Sequence, residues 1–258
     1  MDRLVSNASR SGPDLVVIIP CYNEYFRLPF DLIDNFLSLN KEATICFVND
    51  GSTDKTQLIL EVFRALHPYQ VHVLILERNF GKAEAIRQGM KYACSNLSHN
   101  YIAFLDADFS VSLDEMSRVF SMMLAKEMLC VFGSRIDTFG TSVIRYTHRH
   151  YAGRLFAIIA KKILNMKIYD TQCGLKIFHK IVAEKIFEAS FINQWLFDLE
   201  IFARMKLHYK PSILNQIMLE VPVSRWHESG NSKIRFIHFL AMPLSLAKIW
   251  LKYNKKTN

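Results

Sequence analysis

The first half of the chain alternates short apolar runs with longer amphipathic segments. The apolar runs are rich in β-branched residues and cover 15–19, 44–48, 71–76 and 101–105. A short continuous run of this kind predicts a strand that is buried on both faces. The segments at 53–66 and 82–95 have the length and pattern of helices. Strands alternating with helices indicate right-handed βαβ units, so we expect an α/β domain with a mainly parallel central sheet.

Length and composition favour one folded domain. Of the 258 residues, 50% are hydrophobic and 22% are charged, which is typical of globular proteins and not of disordered chains. We expect a loose lead-in over 1–14, a domain over 15–229 and a C-terminal helical segment over 230–258. After the fourth run the pattern changes to longer helix-like stretches at 144–164 and 181–188.

The net charge of +8 favours an anionic partner, which could be a nucleic acid, an acidic membrane or a phosphorylated substrate. Basic and aromatic residues do not interleave as they do in proteins that bind single strands, so we expect no nucleic acid. The five cysteines are odd in number and form no C-x-x-C pair, which favours a reducing, cytoplasmic compartment over a disulfide framework. No apolar run approaches the roughly 18 residues of a membrane span, and no signal peptide is expected.

Polar motifs follow the first two predicted strands. Residues 20–24 read Pro-Cys-Tyr-Asn-Glu, and residues 49–54 read Asn-Asp-Gly-Ser-Thr-Asp. Ligands of open α/β sheets bind beyond the carboxyl ends of the strands, so both loops are expected to line a site. The alternative is an ordinary turn in which Ser52 or Thr53 caps the next helix.

Two carboxylates follow the fourth predicted strand, at Asp106 and Asp108, with Ala107 between them. Carboxylates at i and i+2 of an extended chain point to the same side, so both can bind one hard cation such as Mg²⁺ or Mn²⁺. A solvated loop is the alternative, because Asp-x-Asp is common in proteins. Lys82 is expected at the start of a helix beside Gly81, where it could assist a bound phosphate or remain a solvated surface lysine.

Together these motifs resemble the inverting family 2 glycosyltransferases, which have the single-domain GT-A fold. The resemblance is carried by Val-Ile-Ile-Pro-x-Tyr-Asn-Glu at 17–24, the 49–54 motif, Asn-Phe-Gly-Lys at 79–82 with Ala85, Arg87 and Gly89, and Asp-Ala-Asp at 106–108. It implies a nucleotide-sugar donor, a UDP-sugar above all. The implied donor-binding residues are Pro20, Tyr22, Asn23, Glu24, Asp50, Lys82, Asp106 and Ala107.

The resemblance also implies roles for the acidic residues. Asp50 would contact the base of the donor, Asp106 would lie near the ribose and the metal, and Asp108 would bind the metal against the diphosphate. Some family members add an imidazole to the Asp-x-Asp pair, so His227 is a candidate third ligand. The alternative for His227 is a structural role.

Motifs in the second half resemble one subgroup of the family. They are Asp-Thr-Gln-Cys-Gly-Leu-Lys-Ile-Phe at 170–178, Trp-x-Phe-Asp-x-Glu at 195–200 and Val-Pro-Val-x-Arg-Trp-His-Glu at 221–228. This subgroup comprises the dolichyl-phosphate β-glucosyltransferases and the undecaprenyl-phosphate glycosyltransferases. The resemblance implies transfer of a hexose, glucose from UDP-glucose first of all, to a polyprenyl phosphate. Two alternatives remain: a soluble, glycan or protein acceptor, and a nucleotide-binding module without catalysis.

The acceptor phosphate needs cationic partners. Arg145, His148 and Arg149 are spaced to share one face of a helix and are candidates for this role, although a solvated basic face is equally compatible. An acceptor phosphate is already ionised at neutral pH, so the reaction needs positioning more than proton removal. If a carboxylate does act as a base, Asp170 is the first candidate and Asp198 the second. Structural hydrogen bonding is the alternative for both.

The segment 233–256 is expected to form a basic amphipathic helix that contacts a membrane peripherally. Its polar stripe would consist of Arg235, His238, Ser245, Lys248 and Lys252. The alternatives are a helix packed on the domain and a dimer interface. Pro243 is expected to kink this helix.

Overall fold

The computed structural model describes residues 14–136, 142–144, 164–227 and 236–254. The strands are β1 (Leu15–Cys21), β2 (Ala43–Asn49), β3 (Val71–Ile75), β4 (Tyr101–Phe104), β5 (Cys130–Ser134), β6 (Ser142–Ile144), β7 (Lys176–His179), β8 (Met218–Pro222) and β9 (Arg225–His227). The helices are α1 (Phe30–Leu39), α2 (Thr56–Leu66), α3 (Lys82–Asn96), α4 (Leu113–Ala125), α5 (Lys180–Ile186), α6 (Phe197–His208), α7 (Pro211–Ile217) and α8 (Phe236–Asn254).

Seven strands form one sheet in the order β3-β2-β1-β4-β7-β5-β8. All neighbours in this sheet are parallel except β7, which is antiparallel to both β4 and β5. The four strands predicted in the first half are therefore confirmed, as is the mainly parallel sheet. Strands β6 and β9 pair separately in parallel.

Apolar layers cover both faces of the sheet. Val16 and Ile18 of β1 pack in a cluster with side chains of α3, α5, α6 and α8. Val17 and Ile19 point the other way and pack with side chains of α1, α2 and α4. Burial on both faces explains why the strands read as continuous apolar runs and do not alternate with polar residues.

Helix α2 begins at Thr56, three residues after the start predicted for it. The alternative in which Ser52 or Thr53 caps this helix is wrong, because the N-cap residue is Lys55 and it makes no side-chain cap. The Asp54 carboxylate instead accepts a hydrogen bond from the Thr56 N–H at 2.9 Å. Ser52 and Thr53 are engaged by the first loop, as described below.

Two further helix predictions need correction. The predicted helix over 144–164 does not start at Ile144, which ends strand β6, and 145–163 lie outside the described residues. The predicted helix over 181–188 is α5, which ends at Ile186. Arg204 of α6 binds the carbonyl of Ile186, the last residue of this helix, and that of Ala189 beyond it.

Helix α8 runs through Pro243 and packs against α6. Leu246 and Ile249 are buried in this contact, and Ser245 is buried with them. Ser245 is therefore not part of an exposed polar stripe with Lys248 and Lys252. Its hydroxyl instead accepts a hydrogen bond from Nδ2 of Asn193. Among the residues that the structure describes, neither α8 nor any other helix has the length and apolar content needed to cross a bilayer.

A substitution at Gly89 of α3 tests the contact between this helix and the sheet. A Cβ there would lie 2.5 Å from Cγ2 of Ile18 and 2.7 Å from Cγ2 of Val48. Gly89→Ala should lower the free energy of unfolding by about 1–2 kcal/mol, although alanine is the better helix former. Urea unfolding measures this change. Ser95→Ala, at an exposed position of the same helix, should change it by less than about 0.5 kcal/mol. A stabilised Gly89→Ala variant would contradict the packing.

Candidate functional site

The loops that follow β1 and β2 are joined by hydrogen bonds. The Asn23 N–H donates to Ser52 Oγ at 3.0 Å, and Asn23 Oδ1 accepts from the Thr53 N–H at 2.9 Å. Asn23 has a φ of 54°, in the left-handed region that asparagine tolerates better than most residues. The Thr53 hydroxyl also accepts a hydrogen bond from Asn23 Nδ2, at 3.3 Å, so both candidate capping hydroxyls are bound by Asn23 and the two loops form one surface.

The rest of the first loop is fixed in the same way. The Glu24 N–H donates to Thr56 Oγ1 at 2.9 Å, and the Glu24 carboxylate pairs with Arg27 at 3.2 Å. Glu24 is buried, whereas Pro20 and Tyr22 are half-buried. The predicted donor-binding residues 20–24 therefore lie together at the carboxyl end of β1.

Asp50, in the second loop, binds the backbone of a third loop, which lies directly before α3. Its two carboxylate oxygens accept hydrogen bonds from the N–H groups of Phe80 and Gly81, each at 2.8 Å. Burial raises the pKa of Asp50 and these hydrogen bonds oppose that rise. Gly51 has a φ of 63°, and a Cβ there would lie 2.3 Å from the backbone of Arg78. The Asp-Gly pair is thus required by the close approach of the two loops.

Lys82 begins α3, as predicted, and its ammonium group pairs with an Asp-x-Asp carboxylate. Lys82 Nζ lies 2.6 Å from Asp106 Oδ1, and the lysine side chain is partly exposed. Burial alone would lower the pKa of Lys82, but the charges of Asp106, Asp198 and Asp108 raise it. Lys82 is therefore a cation that pairs with Asp106 and is stabilised by the charges of two further carboxylates.

The Asp-x-Asp segment is a turn. The Phe109 N–H donates to the carbonyl of Asp106 at 3.0 Å, and Phe109 has a φ of 50°. The prediction of an extended chain at Asp106 and Asp108 is therefore wrong, because residues 106–109 form a turn. Asp108 Oδ1 accepts from the N–H and the hydroxyl of Ser110, at 3.0 and 2.8 Å. A positive φ at a phenylalanine is unusual, and such backbone is concentrated at functional sites.

Gly174, in the motif at 170–178, lies against the turn at Asp106. A Cβ at Gly174 would lie 2.5 Å from Asp106 Oδ2, so the absence of a side chain at Gly174 lets the Asp106 carboxylate lie against this backbone. The 170–178 segment, which resembles the lipid-phosphate subgroup, therefore contacts the residue that resembles a donor and metal ligand.

Asp198, at the start of α6, forms a buried ion pair with Lys176 of β7. Lys176 Nζ lies 2.5 Å from Asp198 Oδ1 and 2.9 Å from the carbonyl of Cys173. Neither side chain is more than 8% exposed, and burial raises the pKa of Asp198. Sequence reasoning missed Lys176, although a lysine inside an apolar strand signals a buried anionic partner.

Asp170 is fully occupied by structural donors. Arg135 Nε and Nη2 bind its two oxygens at 2.7 and 2.9 Å, and the N–H groups of Arg135 and Gln172 add bonds of 3.0 and 2.9 Å. Burial opposes ionisation, but Arg135 lowers the pKa of Asp170 to about 2. A carboxylate of this kind is a weak base. Arg135, which also lies 5.4 Å from the ring of Trp226, was not predicted.

Several predicted site residues lie in the part of the chain that the structure does not describe. Arg145, His148 and Arg149 lie outside the described residues. His227 ends strand β9, and its side chain also lies outside the description. Within the described ranges, no group of three or more His, Cys, Asp or Glu side chains is arranged to hold a metal ion. All five cysteines are free thiols.

The carboxyl ends of β1, β2 and β4 thus carry one continuous polar surface. It combines backbone and hydroxyl groups of the first two loops with Lys82 and the carboxylates of Asp106 and Asp108. Carboxylate oxygens suit a hard divalent cation, and an ammonium group at a helix start suits a phosphate. The arrangement is suited to binding a nucleoside diphosphate.

The chain is similar in sequence to known glycosyltransferases. Residues 16–187 match the profile described as Glycosyl transferase family 2. The dolichyl-phosphate beta-glucosyltransferase of Dictyostelium discoideum is 31% identical over 254 residues, covering 93% of this chain and 74% of that protein. The proteins of the same name from Saccharomyces cerevisiae and Homo sapiens are 28% and 26% identical, and each alignment covers 93% of this chain and 75% of the relative.

Solved structures share the fold. Glucosyl-3-phosphoglycerate synthase from Mycobacterium tuberculosis in complex with UDP has a TM-score of 0.66 at 13% identity, over 96% of this chain and 82% of that chain. Its complex with Mn²⁺, UDP-glucose and phosphoglyceric acid has a TM-score of 0.62 at 14% identity, over 96% and 81%. The expected GT-A fold is confirmed by these neighbours.

Asp170 makes a testable contribution to stability. Asp170→Asn should lower the free energy of unfolding at pH 7 by roughly 3 kcal/mol, because it breaks a buried ion pair with Arg135. The folded pKa is lowered from 3.8 to about 2, so this contribution is present above about pH 4 and is lost as the pH falls toward 2. Urea unfolding should therefore show a smaller difference between variant and wild type at pH 3 than at pH 7.

Asp114→Asn, at an exposed position of α4, is the matched control and should change stability by less than about 0.5 kcal/mol. Equal effects of the two substitutions at pH 7 would contradict the ion-pair assignment.

Proposed function

The chain belongs to glycosyl transferase family 2 and is a glycosyltransferase, and we propose that it transfers glucose from UDP-glucose to a polyprenyl phosphate such as dolichyl phosphate. The observation that carries this proposal is the similarity to dolichyl-phosphate beta-glucosyltransferases over 93% of the chain. The aligned region includes the second-half motifs at 170–178, 195–200 and 221–228, which we call the acceptor-type motifs. The contact between Gly174 and Asp106 supports it, because that contact brings an acceptor-type motif to the donor loops.

On the donor side, Asp106 and Asp108 would hold Mg²⁺ or Mn²⁺. Both are hard oxygen donors, and Asp106 already binds a cation, the Lys82 ammonium group. Carboxylate oxygens are the protein ligands that these hard cations prefer, so the two residues would fit such an ion. When bound, the cation would stabilise negative charge on the departing nucleoside diphosphate. Lys82 would add a second positive charge, and His227 remains a candidate ligand.

On the acceptor side, we propose an inverting displacement that requires no general base. Asp170 is held ionised by Arg135, so it is poorly suited to take up a proton. Asp198 is paired with Lys176 and buried, so it is poorly placed to reach an acceptor. An acceptor phosphate needs no deprotonation at neutral pH, and positioning of its oxygen is sufficient. Arg145, His148 and Arg149 remain the proposed partners of this phosphate.

Helix α8 supplies a surface suited to lipid contact, in keeping with a lipid acceptor. One face packs on α6, while Leu244, Ala247 and Leu251 lie on the exposed face at helical spacing. Lys248 and Lys252 flank this exposed row on one side, and Trp250, 48% exposed, lies on the other. Exposed apolar residues bordered by lysine and tryptophan are typical of helices that lie in the interface of an anionic membrane. We therefore propose that the enzyme is peripheral on a membrane.

The direction of α8 would place this contact near the site. Ser245 bonds Asn193, which precedes α6, and Tyr253 bonds Glu200 and Arg204, which lie further along α6. The two helices therefore run in the same direction, and the first turns of α8 extend past the N-terminal end of α6. That end carries Asp198, whose charge acts on Lys82. A membrane-bound α8 would thus hold the donor loops close to the lipid surface.

The first test is transfer of radiolabelled glucose from UDP-glucose into an organic-extractable lipid, with dolichyl phosphate in vesicles and Mn²⁺. Asp108→Asn should lower kcat/KM roughly 100-fold or more, because a bound cation contributes several kcal/mol of transition-state stabilisation. It should also remove the Mn²⁺-dependent thermal stabilisation by UDP. Asp31→Asn, an exposed acid on α1, is the matched control and should leave both readouts unchanged.

Two outcomes would contradict the proposal. Label that enters a soluble, glycan or protein acceptor and not the lipid phase would exclude a polyprenyl phosphate. Wild-type activity that persists in EDTA, together with an active Asp108→Asn variant, would exclude the metal.

Membrane contact is tested by flotation with vesicles that contain anionic phospholipid. The double variant Leu244→Ser, Leu251→Ser should bind about tenfold more weakly, because each substitution removes apolar area from the lipid contact. The matched control is Leu58→Ser, Val62→Ser on α2, where the side chains are 62% and 52% exposed, against 70% and 47% for the α8 pair. Equal loss in both double variants, or loss in neither, would exclude α8 as the contact.

A further inference from the structure

The connection between α5 and α6, residues 187–196, is fixed to α6 by two buried charged side chains. Arg204 donates to the carbonyls of Ala189 and Ser190 at 2.6 and 2.7 Å. Glu200 accepts from the Ile192 N–H at 2.7 Å and from the Tyr253 hydroxyl of α8 at 2.6 Å. The base of this connection is therefore held in one position relative to both helices.

Gln194 lies near the end of this connection and contacts the donor loops. Its Nε2 donates to the carbonyl of Phe80 at 2.5 Å. A Cβ at Gly81 would lie 2.1 Å from Gln194 Oε1, so the side-chain amide rests directly on the glycine backbone. The N–H groups of Phe80 and Gly81 are bound from the other side by Asp50. The turn that begins α3 is thus held between Asp50 and Gln194.

Asn193 joins this connection to α8. Its Nδ2 donates to Ser245 Oγ at 2.8 Å, and its Oδ1 accepts from the N–H groups of Trp195 and Leu196 at 2.8 and 3.0 Å. One side chain therefore sets the backbone on both sides of Gln194 relative to α8. Ser245 is therefore connected to the Phe80–Gly81 turn in three steps: its hydrogen bond with Asn193, the peptide bond from Asn193 to Gln194, and the hydrogen bond from Gln194 to Phe80.

We propose that Gln194 is a positioning residue for donor binding and that α8 holds it in place through Ser245 and Asn193. The turn under Gln194 leads directly into Lys82, whose ammonium group lies 2.6 Å from Asp106. Without the amide of Gln194, the turn loses the hydrogen bond to its Phe80 carbonyl, and the start of α3 that carries Lys82 is held less firmly. The inference rests on the proposed function in one respect, namely that the ligand of these loops is a nucleoside diphosphate.

The test uses the full chain and two readouts. Gln194→Met keeps the length of the side chain and removes its hydrogen bond, and calorimetry with UDP and Mn²⁺ should show binding about threefold to tenfold weaker. Hydrogen exchange at Phe80 and Gly81, measured without ligand, should become faster. The melting temperature without UDP should shift by less than about 2 °C, because Gln194 is exposed. Gln216→Met, at an exposed position of α7, is the matched control.

Ser245→Ala tests the route through α8. It should weaken UDP binding in the same direction, and adding it to Gln194→Met should produce little further loss, because both act on one connected path. Ser212→Ala, exposed on α7, is its control. UDP binding and exchange that match the wild type in Gln194→Met would overturn the inference, and additive effects would overturn the role of α8. Faster exchange in a chain whose wild type binds no UDP would preserve the mechanical link and reject the proposed donor.

Discussion

The buried ion pair between Lys176 and Asp198 is the interaction on which the site depends. It links β7, in the middle of the sheet, to the first turn of α6, and the charge of Asp198 acts in turn on Lys82, which holds Asp106. Positive and negative groups therefore alternate from the core to the surface. The desolvation of two buried charges offsets most of their attraction, so the pair contributes less to net stability than to the placement of α6 beside the donor loops.

Two glycines extend this arrangement by allowing a polar side chain to lie directly on the backbone. At Gly174 the acceptor-type motif lies against Asp106, and at Gly81 the amide of Gln194 lies on the turn that begins α3. Donor loops from the first half of the chain and segments from the second half therefore share one small region. Each half contributes polar groups that the other half orients, so motifs that lie far apart in the sequence act as a unit.

Much of this could be predicted from the sequence, because strand burial and loop motifs are local patterns. The strands β1 to β4, the parallel sheet, the position of Lys82 and the family were all accessible in this way. The antiparallel β7, the Lys176 and Arg135 partners and the burial of Ser245 were not, because each depends on residues distant in sequence. The turn at Asp106 was missed for another reason: no glycine or asparagine signals the positive φ of Phe109.

The strand order also has a consequence for the synthesis of the chain. Among the strands that the structure describes, β5 is bonded to β7 and β8 alone, and both follow it in sequence. A nascent chain can pair β1, β2, β3 and β4 as they emerge from the ribosome, but β5 has no neighbour until β7 arrives between it and β4. The edge of β4 stays open in that interval, and an open edge is the feature of a partly folded sheet most prone to wrong pairing. Late insertion of β7, which carries Lys176, would then close the sheet and place the buried cation at the same moment.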